Sequence, residues 1–592
     1  MTRTADAAPD PGDAAAGPAT TSGPTRLLLG LAAVAVAFAA ADTYVVVLAL
    51  PDMMITVGLG IDELQRAAPI ISGFLLGYVA MLPLIGRIAD IRGRVPVLVA
   101  SLVVFGFGSM VTALAFDLPS VVTGRFLQGV GGGGLVPATL ALVADLYPVE
   151  RRAVPLGVVS AVQEVGSVLG PLYGAVVLYV ADWEAIFWLN MAVGLVLAAA
   201  LTHLGKARAA SPEVEPSSAL EQGALRPTSR PHPDVSSLLL LVIALAALVL
   251  LLWEPPALYN DVTLGLPFVP VTGNSRWLTP LSLVTIVAFL ALLARTWFAR
   301  RPLVDLRSWG ASFRQADPLG ATILALALAG VILAFATADP SVQVFSPIGG
   351  FLLAGSAIAT LVFVWHLRRA SHPLIPRGAL REMPAWASLL VSFFVGASLI
   401  AALVDIPVYA RLTTYKDSQL QAALVLLRLL VAIPIGAVAG GFLTRRLPAG
   451  AVCGAGMVLS TAGFAWMSQW GAHSLESPIV NLPLFVTGLG FGLALAPVNA
   501  ALLASTDAAV HGVASALVVV ARMVGMLVGI SALTTIGLRK YFEALRVGHE
   551  LAAALVQIEA IFIGAAICAA LAGVLALVLF HGARTRESAA PA

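Results

Sequence analysis

Runs of apolar residues recur along most of the chain and are separated by shorter polar segments. A helix that crosses the hydrocarbon core of a bilayer needs roughly 20 mostly apolar residues, and most of these runs reach that length. The pattern predicts sixteen membrane-spanning helices, at about 27–50, 67–88, 95–116, 119–146, 153–180, 185–203, 236–253, 278–297, 319–337, 347–367, 386–410, 418–443, 450–470, 480–504, 512–538 and 555–580. The predicted fold class is therefore an all-α polytopic membrane protein.

The composition excludes a soluble multidomain protein. Hydrophobic residues make up 59% of the chain and charged residues 11%, whereas a soluble domain is about 25% charged. The net charge of +2 is too small to indicate a nucleic-acid partner. Cys453 and Cys568 both lie in apolar runs, and the eight histidines have no ligand spacing. We therefore expect no disulfide framework, metal or cofactor.

The distribution of basic residues predicts the orientation. If the amino terminus is cytoplasmic, most of the 34 Lys and Arg residues fall on the cytoplasmic side, among them Arg87, Arg151, Arg301 and Arg446. Such an excess marks cytoplasmic loops. Both termini are expected in the cytoplasm. The first 25 residues resemble a disordered tail, and the full-length apolar run that follows favours a first span over a cleaved signal peptide.

The middle of the chain contains a repeat. Residues 233–253 resemble 316–335, and each segment is followed by a second span, a basic cluster and Pro-Leu. We therefore predict four inserted spans between two sets of six. The resulting domains are a tail (1–25), a six-helix bundle (26–204), a cytoplasmic linker (205–235), the inserted helices (236–369), a second six-helix bundle (370–582) and a second tail (583–592).

The segment GRIADIRGR (86–94) has the composition of a conformational latch. Gly86 and Gly93 permit tight backbone packing, and Asp90 can face a helix N-terminus, where the helix dipole favours negative charge. The expected helix is the fifteenth span, near Gly512. Asp145, at the end of span four, is within reach of the arginines of this segment, which are Arg87, Arg92 and Arg94. The alternative is a basic loop that only sets topology.

Span five combines a glycine stripe with a carboxylate. Gly166, Gly170 and Gly174 lie on one face at 3.6 residues per turn, and Glu164 points to another. Small residues at this spacing let helix backbones approach closely. At 1.5 Å of rise per residue, Glu164 lies ~18 Å along the helix from Arg152, near mid-membrane.

Ionisable residues inside a membrane usually face a polar interior or a partner. No basic residue neighbours Glu164 in the sequence, so desolvation should favour its protonated form. We predict that it binds and releases protons. The alternative is a carboxyl group that is hydrogen-bonded to a neighbouring helix and never titrates.

Four further charges lie within other spans and could form pairs. Asp42 could pair with Arg125, and Asp405 with Arg428, in each case in the outer half of the membrane. Asp42 is the second candidate for proton coupling. Either pair could instead serve only to fix helix packing. Arg522 has no partner that the sequence identifies.

The motifs resemble those of the major facilitator superfamily. Gly86, Arg87, Asp90, Gly93 and Arg94 match its loop signature, and GRFLQG (124–129) matches its span-four motif. GSVLGPLYG (166–174), which includes Pro171, is similar to its antiporter motif, and ADTYVVVLALP (41–51) to the first span of its drug:proton antiporter branch.

Four segments carry a narrower resemblance: ADTYVVV (41–47), QEVGSVLGPLYG (163–174), ALVDIPVYA (402–410) and VVVARMVGMLVG (518–529). They resemble mycobacterial exporters of triacylglyceride and drugs that are encoded beside a lipid-carrying lipoprotein. The resemblance implies a monomeric, proton-coupled exporter of hydrophobic or amphipathic molecules or lipids in the plasma membrane, working by alternating access, with a periplasmic lipoprotein as a possible partner. That branch usually has 14 spans, so the sixteen predicted here depart from it.

Other functions find little support in the sequence. The three lysines, Lys206, Lys416 and Lys540, do not form a phosphate-binding loop, which excludes ATP hydrolysis by this chain. The two largest loops, 205–235 and 254–277, contain no convincing catalytic set. A membrane enzyme or scaffold that reuses the fold remains the alternative to a transporter.

Overall fold

The computed structural model describes residues 23–59, 64–148, 151–209, 234–261, 263–273, 275–299, 302, 304–336, 348–416, 418–546, 550–581 and 583. Within these ranges every regular element is helical. The helices are α1 (Gly23–Thr56), α2 (Leu64–Arg92), α3 (Arg94–Ala113), α4 (Leu118–Leu146), α5 (Ala153–Val180), α6 (Glu184–Ala209), α7 (Val235–Trp253), α8 (Pro256–Tyr259), α9 (Pro280–Phe298), α10 (Leu306–Gln315), α11 (Pro318–Ala336), α12 (Gly349–Arg369), α13 (Met383–Thr413), α14 (Gln419–Thr444), α15 (Ala449–Met467), α16 (Asn481–Ala504), α17 (His511–Leu545) and α18 (Glu550–Leu579).

Each predicted span coincides with one long helix, with differences of a few residues at the ends. Fifteen of these helices are long and apolar enough to cross a membrane. The remaining long helix, α5, has 28 residues and carries Glu164. The predicted tails and the linker lie mostly outside the described residues, because 1–22, 210–233 and 584–592 are not described.

Local chemistry explains where several helices begin. The Asp117 carboxylate accepts from the Ser120 backbone N–H at 2.9 Å and opens α4, which satisfies one of the donors left free at a helix N-terminus. Asp234 does the same for α7, and hydrogen bonds from Ser237 and Ser236 lower the pKa of Asp234. Gly93, with φ of +95°, makes the sharp turn between α2 and α3.

The first six and the last six long helices pack in the same pattern. In the first half α1 packs on α5, α2 on α4, and α3 on both α4 and α6. In the second half the corresponding pairs are α13 with α17, α14 with α16, and α15 with both α16 and α18. The two halves meet through the equivalent contacts α2–α17 and α5–α14. We call the end of the molecule that carries Arg87, Arg94 and Arg152 the basic end.

The inserted helices form two hairpins in different places. The α7–α9 pair packs through Leu248 and Leu252 against Met110 of α3 and the neighbouring Met191 of α6. The α11–α12 pair packs against α2, and α11 also contacts α17 of the other half. The repeat in the sequence therefore corresponds to two hairpins that occupy unlike surroundings.

Two short helices, α8 and α10, have no counterpart among the predicted spans. The helix α10, with ten residues, lies in the connection between the predicted spans 278–297 and 319–337. This helix is too short and too polar to be a span, so a search for long apolar runs does not find it.

Candidate functional site

A buried ion pair lies within the first half, as the sequence predicts. Arg125 Nη1 on α4 is 2.7 Å from Asp42 Oδ2 on α1, and both side chains are at most 1% exposed. The guanidinium carbon of Arg125 also lies 4.5 Å from the centroid of the Phe74 ring. An isolated charge at this depth is costly, so each partner makes the burial of the other possible.

Further polar side chains, which the sequence analysis did not identify, form hydrogen bonds with this ion pair. Gln128 accepts from Arg125 Nη1 at 3.0 Å and donates to Ser109 Oγ at 2.8 Å. Asn190 on α6 donates to the second carboxylate oxygen of Asp42. The network therefore joins α1, α3, α4 and α6. Gln128 follows Arg125 by one helical turn within the GRFLQG motif. This spacing could have identified Gln128 from the sequence as a neighbour of Arg125.

Glu164 faces a narrow cavity between the two halves. The cavity is lined from the first half by α4 and α5, and from the second by α13, α16 and α17. Most of its lining is apolar, including Val136, Leu140, Val395, Leu495 and Val519. Its polar side chains are Ser160, Gln163, Glu164, Ser392, Asn499 and Arg522.

The structure corrects the expectation that Glu164 has no cation nearby. Arg522 on α17 lines the same cavity as Glu164. Each lies roughly 16 Å along its helix from the basic end, at 1.5 Å per residue. The sequence left Arg522 without a partner because these two residues belong to opposite halves of the chain. The Asn499 Oδ1 atom, also at this cavity, is buried without a hydrogen-bond partner.

The glycine stripe of α5 packs against α1. A Cβ atom at Gly166 would collide with the carbonyl oxygen of Ala37, and one at Gly170 would lie 2.5 Å from that of Ala41. Gly174 is buried on the same helix, which also contains Pro171. The stripe thus brings α5 against the segment of α1 that carries Asp42, while Glu164 turns towards the cavity.

The predicted contact between the loop signature and the fifteenth span is present. The Asp90 carboxylate accepts from the backbone N–H groups of Gly512 at 2.8 Å and Val513 at 3.1 Å. Gly86 is required here, since a Cβ atom would lie 2.6 Å from the Gly512 carbonyl oxygen. These groups tie the end of α2 to the start of α17.

The arginines of the signature make separate contacts. Arg94 pairs with Asp90 and, at 3.2 Å, with Asp145 at the end of α4. Arg87 donates to the Ala509 carbonyl oxygen at 3.1 Å. Arg92 turns away from α17, towards α10. Arg87 and Arg94 thus reinforce the junction between the halves, whereas Arg92 does not.

Asp405 and Arg428 are not brought together. Arg428 on α14 donates to Asn481 Oδ1 at 2.9 Å, at the start of α16. Asp405 is buried on α13, with 7% exposure, and forms no ion pair with Arg428. The predicted pair is wrong because two residues at equal depth can still point to different neighbours.

Comparison with known proteins agrees with the architecture. Residues 32–367 match the family model described as Major Facilitator Superfamily. A triacylglyceride transporter of Mycolicibacterium hassiacum is 33% identical over 538 residues, which cover 88% of this chain and 82% of the relative. A triacylglyceride transporter of Mycobacterium tuberculosis is 32% identical over 535 residues, covering 88% of this chain and 84% of the relative.

Solved structures share the fold at low sequence identity. The human organic anion transporter MFSD10 superposes with a TM-score of 0.52 at 14% identity, covering 94% of this chain and 100% of that one. The proton:xylose symporter XylE gives 0.51 at 12% identity, with 94% and 95% covered.

Proposed function

The chain belongs to the major facilitator superfamily, and from this premise we propose that it exports triacylglyceride-like lipids across the plasma membrane in exchange for protons. It is a multi-pass membrane transporter, not an enzyme. The observation that carries the finer proposal is the cavity between the two halves, which Glu164 and Arg522 line together with mostly apolar residues.

The lining supports an apolar or amphipathic cargo. Binding sites for such molecules are typically apolar with a few well-placed polar groups. Hydrophobic drugs would fit this description as well as lipids. The names of the curated relatives favour triacylglyceride, and drugs are the second candidate.

The contacts between the halves support alternating access. At the basic end the halves meet through Asp90 with Gly512 and through the close approach of Gly157 on α5 to Ala437 on α14. These junctions are local, so rocking of the halves can separate them while each bundle stays intact. The cavity is narrow in this conformation, and admission of a lipid requires such a separation.

The presence of opposite charges at one cavity supports proton coupling. When Glu164 is ionised, it carries the charge opposite to that of Arg522, which lines the same cavity from the other half and therefore attracts it. Protonation of Glu164 removes that attraction and leaves an uncompensated cation, which favours rearrangement. Asp42 is the second candidate, and its ion pair with Arg125 makes it a sensor of conformation within the first half.

Orientation and partners are part of the proposal. The basic end is placed in the cytoplasm, following the excess of arginine there. A water-insoluble product needs an acceptor on the other side, and a lipid-carrying lipoprotein is the kind of partner that the resemblance favours. Labelling of Ser371→Cys, an exposed position beyond α12, by a membrane-impermeant thiol reagent tests the orientation. Labelling from outside the intact cell would overturn it.

The function is tested in proteoliposomes with an imposed pH gradient. A fluorescent triacylglyceride and a hydrophobic dye are supplied in parallel, and movement of each is followed with the gradient in either direction. We expect triacylglyceride movement to follow the gradient and to stop when an ionophore collapses it. Movement of the dye alone would favour drug export, and gradient-independent movement would contradict proton coupling.

A further inference from the structure

The short helix α10 connects two membrane-spanning helices at the basic end. It begins at Leu306, eight residues after α9 ends at Phe298, and it ends at Gln315, just before α11 starts at Pro318. Both of its neighbours end at the membrane boundary, so α10 must lie close to the membrane surface.

One side of α10 faces the protein and another is apolar and exposed. Ser308 and Ser312, one turn apart, lie on the protein side, and Ser312 is buried. Phe313 projects elsewhere and is 45% exposed. The adjoining ends of the two neighbouring helices also expose apolar side chains, Phe298 on α9 and Leu319 on α11, which are 74% and 60% exposed.

The third side of α10 is basic. Arg307 and Arg314 are exposed there, and on α10 itself no acidic residue balances them. Asp305 precedes the helix, and its carboxylate accepts from the Ser308 backbone N–H at 3.1 Å as the N-cap. A helix with an apolar side and a basic side fits the boundary between acyl chains and anionic headgroups.

The protein side of α10 holds the end of α2. Arg92, the last residue of α2, donates from Nη1 to Ser308 Oγ at 2.6 Å. Its guanidinium carbon lies 4.2 Å from the centroid of the Trp309 ring. Asp90, which joins α2 to α17, stands only two residues earlier in the same helix. The position of α10 and the junction between the halves are thus set at one helix end.

We infer that α10 is an interfacial helix that binds the anionic phospholipid surface at the basic end, and that Arg92 transmits this binding to the Asp90 junction. Arg92 acts as a positioning residue, since it holds the α2 end from which Asp90 reaches α17. Anionic lipid therefore stabilises the conformation that is closed at the basic end. This regulation goes beyond the proposed transport function, and its test requires no transported molecule.

Surface binding is tested with an environment-sensitive fluorophore on Phe313→Cys, in full-length protein whose Cys453 and Cys568 are replaced by alanine. The vesicles contain phosphatidylcholine alone or with phosphatidylglycerol, and spin-labelled acyl chains serve as quenchers. We expect quenching that increases with phosphatidylglycerol. The increase should disappear in Arg307→Glu/Arg314→Glu and persist in Lys206→Glu/Arg381→Glu, a control pair of exposed basic residues outside α10.

A fluorophore that stays water-exposed in both kinds of vesicle would overturn surface binding. Loss of the phosphatidylglycerol-dependent increase in quenching in the control variant Lys206→Glu/Arg381→Glu would also overturn surface binding by α10. The effect would then depend on the net charge of the protein and not on the arginines of α10.

Transmission is tested by the distance between spin labels on Arg151→Cys and Arg446→Cys, two exposed positions at the basic end in opposite halves. Phosphatidylglycerol should shift the distribution towards the shorter distance. Ser308→Ala/Trp309→Ala should abolish this shift, because it removes the hydrogen bond and the ring contact that join Arg92 to α10. Trp365→Ala should retain it, because this control removes a comparable pair, Arg369 at 4.5 Å from the Trp365 ring, that lies outside α10. A shift that survives in Ser308→Ala/Trp309→Ala would overturn the role of Arg92.

Discussion

The Asp90 carboxylate at the end of α2 and the backbone N–H of Gly512 at the start of α17 form a hydrogen bond of 2.8 Å. A second bond, from Val513 at 3.1 Å, reaches the other carboxylate oxygen. A negative charge is favoured at a helix N-terminus. This contact holds the two halves together at the basic end and leaves the cavity that contains Glu164 deeper in the molecule.

Asp90→Asn should weaken the closure of the basic end. Hydrogen bonds to a charged group contribute about 1.5–3 kcal/mol, so the ratio of the closed to the open state should fall by roughly tenfold or more. We expect normal expression, strongly reduced export and a longer distance between labels at Arg151 and Arg446. Asp507→Asn, an exposed carboxylate just before α17, is the control. Wild-type export by Asp90→Asn would show that the loop only sets topology.

Glu164→Gln should separate transport from the proton gradient. Glutamine resembles the protonated carboxyl group and cannot release a proton, so gradient-driven export should fall to the level of gradient-free exchange. Exchange itself should persist, because the cavity keeps its shape. Glu559→Gln, an exposed residue of α18 away from the cavity, is the matched control. Gradient-driven export at the wild-type rate would leave Glu164 with a packing role only.

Asp42→Asn should destabilise the first half. The change leaves the Arg125 guanidinium buried without its counter-charge, and loss of one partner of a buried ion pair costs about 3–5 kcal/mol. Thermal unfolding of the detergent-solubilised protein should show a lower midpoint. Arg411→Gln, which removes an exposed charge, should leave the midpoint unchanged. An unchanged midpoint in Asp42→Asn would mean that Asn190 and Gln128 compensate for the lost charge.

Gly170→Ala should force α5 away from α1. The new Cβ atom would lie 2.5 Å from the Ala41 carbonyl oxygen, where backbone must move. Overpacking of this kind costs about 1–3 kcal/mol, measurable as a lower unfolding temperature. Gly355→Ala in α12 meets open space and should be neutral or stabilising by up to about 1 kcal/mol. Equal stability of the two variants would contradict the close approach of α5 to α1.

The sequence determined the helices and the depth of the charges. Each membrane span needs its own long apolar run, because backbone polar groups in lipid must be satisfied within the helix. The requirement is local, so every predicted span coincides with a long helix. The loop signature also identified the Asp90 contact, since its glycines and aspartate have an unusual spacing that a close helix junction requires.

Only the tertiary structure decided which charges meet. The depth of a residue follows from its distance along one helix, whereas its partner depends on how several helices are rotated and arranged around it. Asp405 and Arg428 share a depth and do not pair, while Glu164 and Arg522 face one cavity from opposite halves. The contacts of α10 could not be predicted from the sequence either, because the contact of Arg92 with Ser308 and Trp309 joins segments far apart in the chain.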